Sequence, residues 1–186
     1  MIVALTGRPG VGKTTLFFSV IEELKKEGVV VYGFYCPEVR ISGRRIGFKI
    51  VDIRSGRSTW LAIVREFVGH YGTSINLTNK KVGKYIVVED AESVGIEALR
   101  RPEYEKVLLA IDEIGPMELS LPRLRQSIIE ALKKANTAIV VIHRNLSDQA
   151  ILRILHEKKA EIITVTEQNR AFLRNEIVRL LRKDVR

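Results

Sequence analysis

A glycine-rich segment near the amino terminus has the residue types that hold phosphate groups. Its residues are Gly7, Arg8, Pro9, Gly10, Val11, Gly12, Lys13, Thr14 and Thr15. The spacing Gly-x-x-x-x-Gly-Lys-Thr is the full Walker A pattern, in which glycines let successive backbone N–H groups point inward at a phosphate. The lysine neutralises charge on the β- and γ-phosphates, and the threonine hydroxyl coordinates Mg²⁺. The segment therefore predicts a nucleoside-triphosphate site with Lys13 as a catalytic residue and Thr14 as a metal ligand.

A pair of carboxylates at the end of an apolar strand is the second candidate site. The predicted nucleotide-binding residues here are Leu108, Leu109, Ala110, Ile111 and Asp112. Parallel strands deliver their carboxyl ends to the edge of the sheet where ligands bind, so we expect Asp112 to hold Mg²⁺ directly or through water. Strand alternation points Glu113 the other way, where it is expected to polarise the attacking water. Asp112 and Glu113 are therefore both predicted catalytic residues.

The same acidic segment also fits the Asp-x-x-Gly element of GTPases. A GTPase should carry Asn-Lys-x-Asp after the next strand, because the lysine stem packs under guanine. At that place the chain has residues 145–148, Asn-Leu-Ser-Asp, which lack the lysine. Guanine selectivity is therefore not expected.

The surrounding sequence predicts the elements that position these residues. Apolar runs predict strands at 2–6, 29–35, 107–111, 138–142 and 162–165. Helical spacing predicts helices over 14–27, 90–101, from 122 onward and over 147–157, with Thr166 capping a last helix. Alternation of strands and helices predicts an α/β fold, a mostly parallel sheet with helices on both faces. Turn signals within about 38–64 predict an antiparallel hairpin insertion, followed by an irregular connection over 65–85, in a single domain spanning residues 1–186.

Charge and composition limit the partners and the compartment. The net charge of +9 suits anionic partners, and nucleic acid is one possibility, although no nucleic-acid-binding motif is present. The single cysteine, Cys36, excludes an internal disulfide and an all-cysteine metal site. No apolar run is long enough to span a membrane, and the first motif leaves no room for a signal peptide, so a cytoplasmic location is expected. The oligomeric state is left open.

The chain as a whole resembles the THEP-type nucleoside-triphosphatases, a family of small P-loop enzymes. The similar segments, in family order, are residues 6–15, 33–40, 45–50, 82–85 and 111–119. The resemblance implies a RecA-like P-loop fold and hydrolysis of several nucleoside triphosphates with little base preference. Cys36 stands where the family pattern has Thr, and Ile86 stands where Gly is usual.

Two further polar residues are candidates for contact with the γ-phosphate. Arg40 lies on the predicted hairpins with Arg44 and Arg45, where it is expected to act as an internal arginine finger or to bind a second, anionic substrate. His143 ends the strand at 138–142, where RecA-like ATPases place a group that senses the γ-phosphate. A solvated basic hairpin and an ordinary strand-end histidine are the structural alternatives.

Three functions are compatible with these residues. The first is Mg²⁺-dependent hydrolysis of ATP, GTP, CTP and UTP with low base selectivity. The second is a kinase that transfers the γ-phosphoryl group to a nucleoside or polynucleotide hydroxyl. The third is a nucleic-acid-linked ATPase switch, which the basic charge permits but the few aromatic residues do not favour. Hydrolysis is the main expectation because Glu113 stands where a water-activating carboxylate is needed.

Overall fold

The computed structural model describes residues 1–71 and 75–185, and its strands form one continuous sheet within those residues. The strands are β1 (Ile2–Thr6), β2 (Val30–Tyr35), β3 (Glu38–Ile41), β4 (Arg44–Asp52), β5 (Ser58–Val64), β6 (Leu77–Val82), β7 (Tyr85–Val88), β8 (Val107–Ile114), β9 (Ala138–Ile142) and β10 (Glu161–Thr164). The helices are α1 (Lys13–Lys26), α2 (Val68–Tyr71), α3 (Ala91–Ala98), α4 (Pro116–Leu119), α5 (Pro122–Lys134), α6 (Gln149–Glu157) and α7 (Arg170–Arg182), with a 3-10 turn at Arg65–Phe67.

Five parallel strands form the part of the sheet from which the Walker A segment, the acidic pair and His143 extend. Their order across the sheet is β10-β1-β9-β8-β2, so β9 lies between the strand that precedes the Walker A segment and the strand that ends in the acidic pair. The strands β1, β9 and β8 are apolar because both of their faces are covered, whereas β10 forms the edge of the sheet and is mostly exposed. The carboxyl ends of β1, β9 and β8 therefore meet at one edge, as the sequence predicts.

The other five strands form an antiparallel extension on the far side of β2. The order continues β2-β4-β5-β7-β6, and β3 pairs with β4 as a short hairpin. The predicted hairpins are present, but the prediction of an irregular connection over 65–85 is wrong where β6 and β7 form. Only alternate residues of β6 are partly covered and the others are exposed, so this strand lacks a clear apolar signal. Residues 72–74 of that connection lie outside the described residues.

Helices cover both faces of the sheet, which confirms the predicted layers. On one face α1 and α7 pack on β1, β8 and β9, with Phe17 and Ile177 completely buried between them. On the other face α3, α5 and α6 cover the sheet, with Leu124 and Ile151 in that core. No helix in residues 1–71 or 75–185 is both long and apolar enough to cross a membrane.

The start of the last helix differs from the prediction. Thr166 does not cap α7, because the helix begins four residues later at Arg170. The backbone N–H of Thr166 donates to the Asn169 side chain at 2.8 Å, and the backbone N–H of Asn169 donates to the Thr166 hydroxyl at 3.2 Å. These reciprocal bonds close a separate turn ahead of the helix. Residues 165–169 consequently remain a loop between β10 and α7, and part of it lies beside the Walker A segment.

Gly33 allows β2 to approach β8 closely where the two strands run toward the site. Its φ is +124°, and a Cβ atom there would lie 1.9 Å from the carbonyl oxygen of Ala110. The carbonyl oxygen of Gly33 also accepts from the Ile53 N–H at 3.0 Å, which connects this part of the sheet to the insertion. Only glycine fits both the backbone conformation and the distance.

Replacing Gly33 should therefore destabilise the whole sheet. We expect Gly33→Ala to lower the free energy of unfolding by about 3 kcal/mol or more, because it combines a positive φ with a backbone clash. Gly69→Ala is the control, since nothing lies within 4 Å of its Cβ position, and it should change stability by less than about 0.5 kcal/mol. Urea denaturation of both variants measures the difference. Equal stability of the two variants would contradict the close approach.

Candidate active site

The Walker A segment forms a tight loop between β1 and α1. Gly7 has a φ of +143°, and a Cβ atom there would lie 2.6 Å from the carbonyl oxygen of Val165. The loop ends where α1 begins at Lys13, with the Leu16 N–H donating to the Gly12 carbonyl at 2.9 Å. The backbone N–H groups of the first helical turn, which have no partner within the helix, therefore face the loop. This is the arrangement that binds a phosphate chain.

Lys13 lies across the loop that precedes it. Its ammonium group donates to the carbonyl oxygens of Gly7 at 3.0 Å and Arg8 at 3.1 Å. Lys13 also lines a cavity of about 370 Å³ together with Thr14, Asp112 and Glu113. The structure thus brings the four predicted catalytic and metal-binding residues to one cavity.

Asp112 and Thr14 join the two motifs. Asp112 is 7% exposed, and the Thr14 side chain lies close enough to influence its carboxylate. Burial raises the pKa of Asp112 to about 6, although the neighbouring Thr14 side chain and the Lys13 charge act in the opposite direction. Two adjacent hard oxygen donors, one of them anionic, suit Mg²⁺, which takes its remaining ligands from water and substrate phosphates. The donor set therefore fits the metal ion that the sequence predicts.

Glu113 faces the same cavity as Asp112, contrary to simple strand alternation. The register between β8 and β9 shifts between Asp112 and Ile114, so the regular two-residue repeat is interrupted at Glu113. Burial raises the pKa of Glu113, and the nearby Lys13 charge opposes that rise. The prediction that Glu113 points away from Asp112 is therefore wrong, and the irregular register places both carboxylates beside the phosphate loop.

The apolar residues before the acidic pair do not line the cavity. The side chains of Leu108, Leu109, Ala110 and Ile111 are all 0% exposed and belong to the two cores on either side of the sheet. Direct contact of these side chains with a nucleotide is therefore excluded by their burial. Their contribution to the site is to hold β8, and with it Asp112, in place.

The end of β9 supplies His143 and Arg144 between the two motifs. The His143 N–H donates to the Ile114 carbonyl at 3.1 Å, and the His143 Nδ1 accepts from the Asn145 N–H at 3.2 Å. Burial lowers the pKa of His143, and the charges of Arg144 and Lys13 add to that effect. His143 therefore lies on the cavity within the electrostatic reach of Lys13, at the place predicted for a γ-phosphate contact.

Arg144 was not singled out by its sequence pattern. It is exposed, and it lines both the cavity at Lys13 and a larger cavity of about 810 Å³ on the other side of the Walker A loop. Its side chain makes no hydrogen bond or ion pair with any residue in the described part of the chain. The sequence indicates a role for Arg144 only by its position, just after β9, which lies between the strand before the Walker A segment and the strand with the acidic pair.

The arginines of the hairpin separate into two groups. Arg40 donates to Glu38 at 2.8 and 3.0 Å and to the Gly43 carbonyl at 2.9 Å, and it is not among the residues that line the cavity. Arg45 also pairs with Glu38 but does line the cavity. A γ-phosphate role for Arg40 stays a prediction, whereas the described geometry places Arg45 beside the site.

A buried carboxyl and the single thiol form the floor of the cavity. The Glu118 side chain accepts from the Gly115 N–H at 3.1 Å, and it lies close enough to the Cys36 side chain for each to influence the pKa of the other. Burial raises the pKa of Glu118 to about 7, with the Glu113 charge contributing in the same direction. Burial likewise raises the pKa of Cys36. Cys36 directly follows β2, Glu118 lies on α4, and both line the same cavity as Glu113.

Comparison with known proteins agrees with this geometry. A family model described as NTPase matches residues 2–178. The nucleoside-triphosphatase THEP1 of Hyperthermus butylicus is 42% identical over 185 residues, covering 98% of this chain and 92% of the relative. That of Ignicoccus hospitalis is 40% identical over 168 residues, covering 90% of this chain and 89% of the relative.

The chain belongs to the THEP1 nucleoside-triphosphatase family. Two solved structures have the same fold: THEP1 from Aquifex aeolicus, with a TM-score of 0.78 and 29% identity over 97% of this chain and 99% of that one, and a human cancer-related nucleoside triphosphatase, with a TM-score of 0.75 and 34% identity over 97% of each chain. These matches confirm the P-loop α/β fold and the expectation of an enzyme of the nucleoside-triphosphatase class.

The buried carboxyl of this THEP1-family chain gives a test of the site's structure. Since Glu118 has a pKa of about 7 in the folded chain and an ordinary value of 4.5, its protonation stabilises the fold. That stabilisation is lost as the pH rises from about 4.5 through 7, and it amounts to about 3 kcal/mol. Glu118→Gln should remove this loss and gain stability relative to the wild type between pH 5 and about 8.

Unfolding free energies from urea denaturation at several pH values measure this difference. Glu157→Gln is the control, because Glu157 is an exposed carboxylate on α6 that lies far from the cavity floor in the chain. The free energy of unfolding of Glu157→Gln should show the same pH dependence as that of the wild type. Parallel curves for the wild type and Glu118→Gln would show that Glu118 is not a buried, protonated group.

Proposed function

We propose that this chain catalyses Mg²⁺-dependent hydrolysis of nucleoside 5′-triphosphates, including ATP, GTP, CTP and UTP, to the diphosphate and phosphate. The observation that carries the proposal is the single cavity lined by Lys13, Thr14, Asp112 and Glu113. A phosphate-binding lysine, two metal-binding oxygens and a carboxylate beside them are the groups that phosphoryl transfer to water requires.

The residues divide the reaction between binding, charge neutralisation and proton transfer. Thr14 and Asp112 would hold Mg²⁺, which supplies positive charge to the β- and γ-phosphate oxygens. Glu113 orients the attacking water and accepts its proton as the new oxygen–phosphorus bond forms and the bond to the β–γ bridging oxygen breaks. The raised pKa of Glu113 suits a group that must take up a proton near neutral pH. Lys13 and Arg144 neutralise the charge that develops on the γ-phosphoryl oxygens.

Low base selectivity is supported by the contacts of Asp148, the residue that would bind guanine in a guanine-specific site. Asp148 accepts from the N–H groups of Ala150 and Ile151 as the N-cap of α6, and Arg125 pairs with it at 2.6 Å. Its carboxylate is therefore already engaged and cannot read guanine without losing these bonds. The cavity of about 810 Å³ between the Walker A loop and residues 164–168 has room for a base of any kind.

Two variants separate binding from turnover. We expect Lys13→Ala to weaken nucleotide binding about tenfold or more, because the cavity loses its phosphate-facing ammonium. Glu113→Gln should bind nucleotide within about threefold of the wild type, while turnover falls by about 10² to 10⁴. Fluorescence titration with a labelled nucleotide and phosphate release measure the two effects. Retained turnover in Glu113→Gln would exclude Glu113 as the base.

Arg144 gives an independent test of charge neutralisation. Arg144→Ala should lower kcat by about 10- to 10³-fold, because a cation at the γ-phosphate acts mainly on the transition state. The affinity for a nucleoside diphosphate with aluminium fluoride should fall much more than the affinity for the diphosphate alone. Arg153→Ala is the control, because Arg153 is exposed on α6 and lines neither cavity. Equal losses of both affinities in Arg144→Ala would assign Arg144 to ground-state binding only.

A further inference from the structure

The cavity at Lys13 continues past the acidic pair to a wall that hydrolysis does not use. This wall, called here the insertion wall, consists of Glu38, Arg45, Phe48, Val82 and Met117. Four of the five residues belong to the antiparallel extension, and Met117 belongs to α4. A water molecule attacking the γ-phosphate needs Glu113 and a metal-held phosphate, and it makes no use of an aromatic ring or a second guanidinium.

Arg45 is held in place before any ligand arrives. Its Nε donates to the Tyr85 hydroxyl at 2.9 Å, and its Nη1 pairs with Glu38. The guanidinium also lies over the rings of Phe48 and Tyr85, 5.3 and 5.9 Å from their centroids. Its Nη2 has no acceptor among the residues that the structure describes. A fixed guanidinium with free N–H groups on a cavity is suited to binding a phosphate with little loss of side-chain entropy.

The local charge also favours an anion. Glu38 is bound by two guanidinium groups, those of Arg40 and Arg45, so the three side chains together carry a net charge of +1. Although burial acts to raise the pKa of Glu38, its bonds to Arg45 and Arg40 lower it overall, so its carboxylate stays ionised and committed to them. The positive charge that remains faces the cavity only through Arg45, because Arg40 does not line it.

The rest of the insertion wall is apolar and partly rigid. Phe48 packs edge to face against Tyr85 with the ring centroids 5.3 Å apart, which fixes the orientation of its ring. Val82 and Met117 complete an apolar surface beside it. A fixed aromatic face next to a phosphate-binding arginine matches a ligand that has a planar base and a phosphate group.

We propose that the insertion wall binds a nucleoside 5′-monophosphate, which accepts the γ-phosphoryl group of the triphosphate held by the Walker A loop. Arg45 holds the phosphate of the acceptor, and the base packs against Phe48 and Met117. The proposal rests on the proposed triphosphate site at Lys13 and adds a second substrate to it. The enzyme is then a phosphotransferase when the monophosphate is bound and a hydrolase when water takes its place.

The transfer of the γ-phosphoryl group to a monophosphate requires no general base. An oxygen of the monophosphate, already deprotonated near pH 8, forms the new bond to the γ-phosphorus. The bond between the γ-phosphorus and the β–γ bridging oxygen breaks, and that oxygen leaves with the electron pair. The products are two nucleoside diphosphates. Because no proton has to be removed from the acceptor, Glu113 is required for hydrolysis and is not required for transfer.

The experiment follows the label from [γ-³²P]ATP in the full-length protein with Mg²⁺, with and without millimolar AMP, GMP, CMP or UMP. Thin-layer chromatography separates labelled phosphate from labelled diphosphate. We expect the wild type to form labelled diphosphate with at least one monophosphate. Glu113→Gln should form it within about threefold of the wild-type rate while phosphate release falls by about 10² or more.

Arg45→Met tests the binding of the acceptor, because methionine keeps an apolar stem over Phe48 and removes the guanidinium. We expect transfer at subsaturating monophosphate to fall by about 10- to 100-fold. Arg44→Met is the matched control: Arg44 is the preceding residue on β4, pairs with Glu66 and does not line the cavity. It should retain transfer within about threefold. Thermal unfolding of both variants shows that the fold is kept.

The outcomes separate this inference from the proposed hydrolysis. Labelled phosphate without any labelled diphosphate, for all four monophosphates, overturns the inference and leaves hydrolysis standing. Equal transfer by Arg45→Met and Arg44→Met overturns the insertion wall as the acceptor site. A third result is labelled diphosphate when a monophosphate is present but no labelled phosphate when it is absent. This result contradicts the proposed hydrolysis and supports the inference.

Discussion

The parallel alignment of β1, β9 and β8 is the constraint on which the site depends. These strands end at one edge of the sheet, so the Walker A loop, His143 and Arg144, and the acidic pair converge without any long-range loop closure. Thr14 from the first of them and Asp112 from the last then lie on the same cavity. The apolar residues that form these strands serve catalysis by fixing this alignment, since both faces of the strands are buried under helices.

Burial is the second feature that shapes the chemistry. Asp112, Glu113 and Glu118 lie close to one another behind the phosphate loop, and burial raises the pKa of all three. Placing carboxyls in such an environment is costly unless cations approach them. Lys13 supplies one such charge, and Mg²⁺ on Thr14 and Asp112 would supply more. In the proposed reaction, the buried carboxyls that are unfavourable without cations would therefore favour the binding of a metal–triphosphate complex.

Much of this could be predicted from the sequence because the signals are local. The glycine spacing of residues 7–14 and the apolar run before Asp112 each specify a backbone conformation and its chemistry. Arg144 and Glu118 could not be found in this way, because their importance comes from neighbours distant in the chain. The sequence does not predict β6, because this strand has no apolar repeat, and it does not predict the direction of Glu113, because the register between β8 and β9 changes near that residue. The prediction that Thr166 caps α7 is wrong, because reciprocal hydrogen bonds between Thr166 and Asn169 close a separate turn before the helix begins.

The most direct test of the central claim, attack of water on the γ-phosphorus beside Glu113, is a single turnover of ATP in ¹⁸O-labelled water with excess enzyme and Mg²⁺. Mass spectrometry of the products then locates the label. We expect one ¹⁸O atom in the released phosphate and none in the diphosphate, because in the proposed reaction Glu113 directs water at the γ-phosphorus. Label in the diphosphate would place the attack at the β-phosphorus and would contradict the assignment of Lys13, Asp112 and Glu113 to one γ-phosphate site.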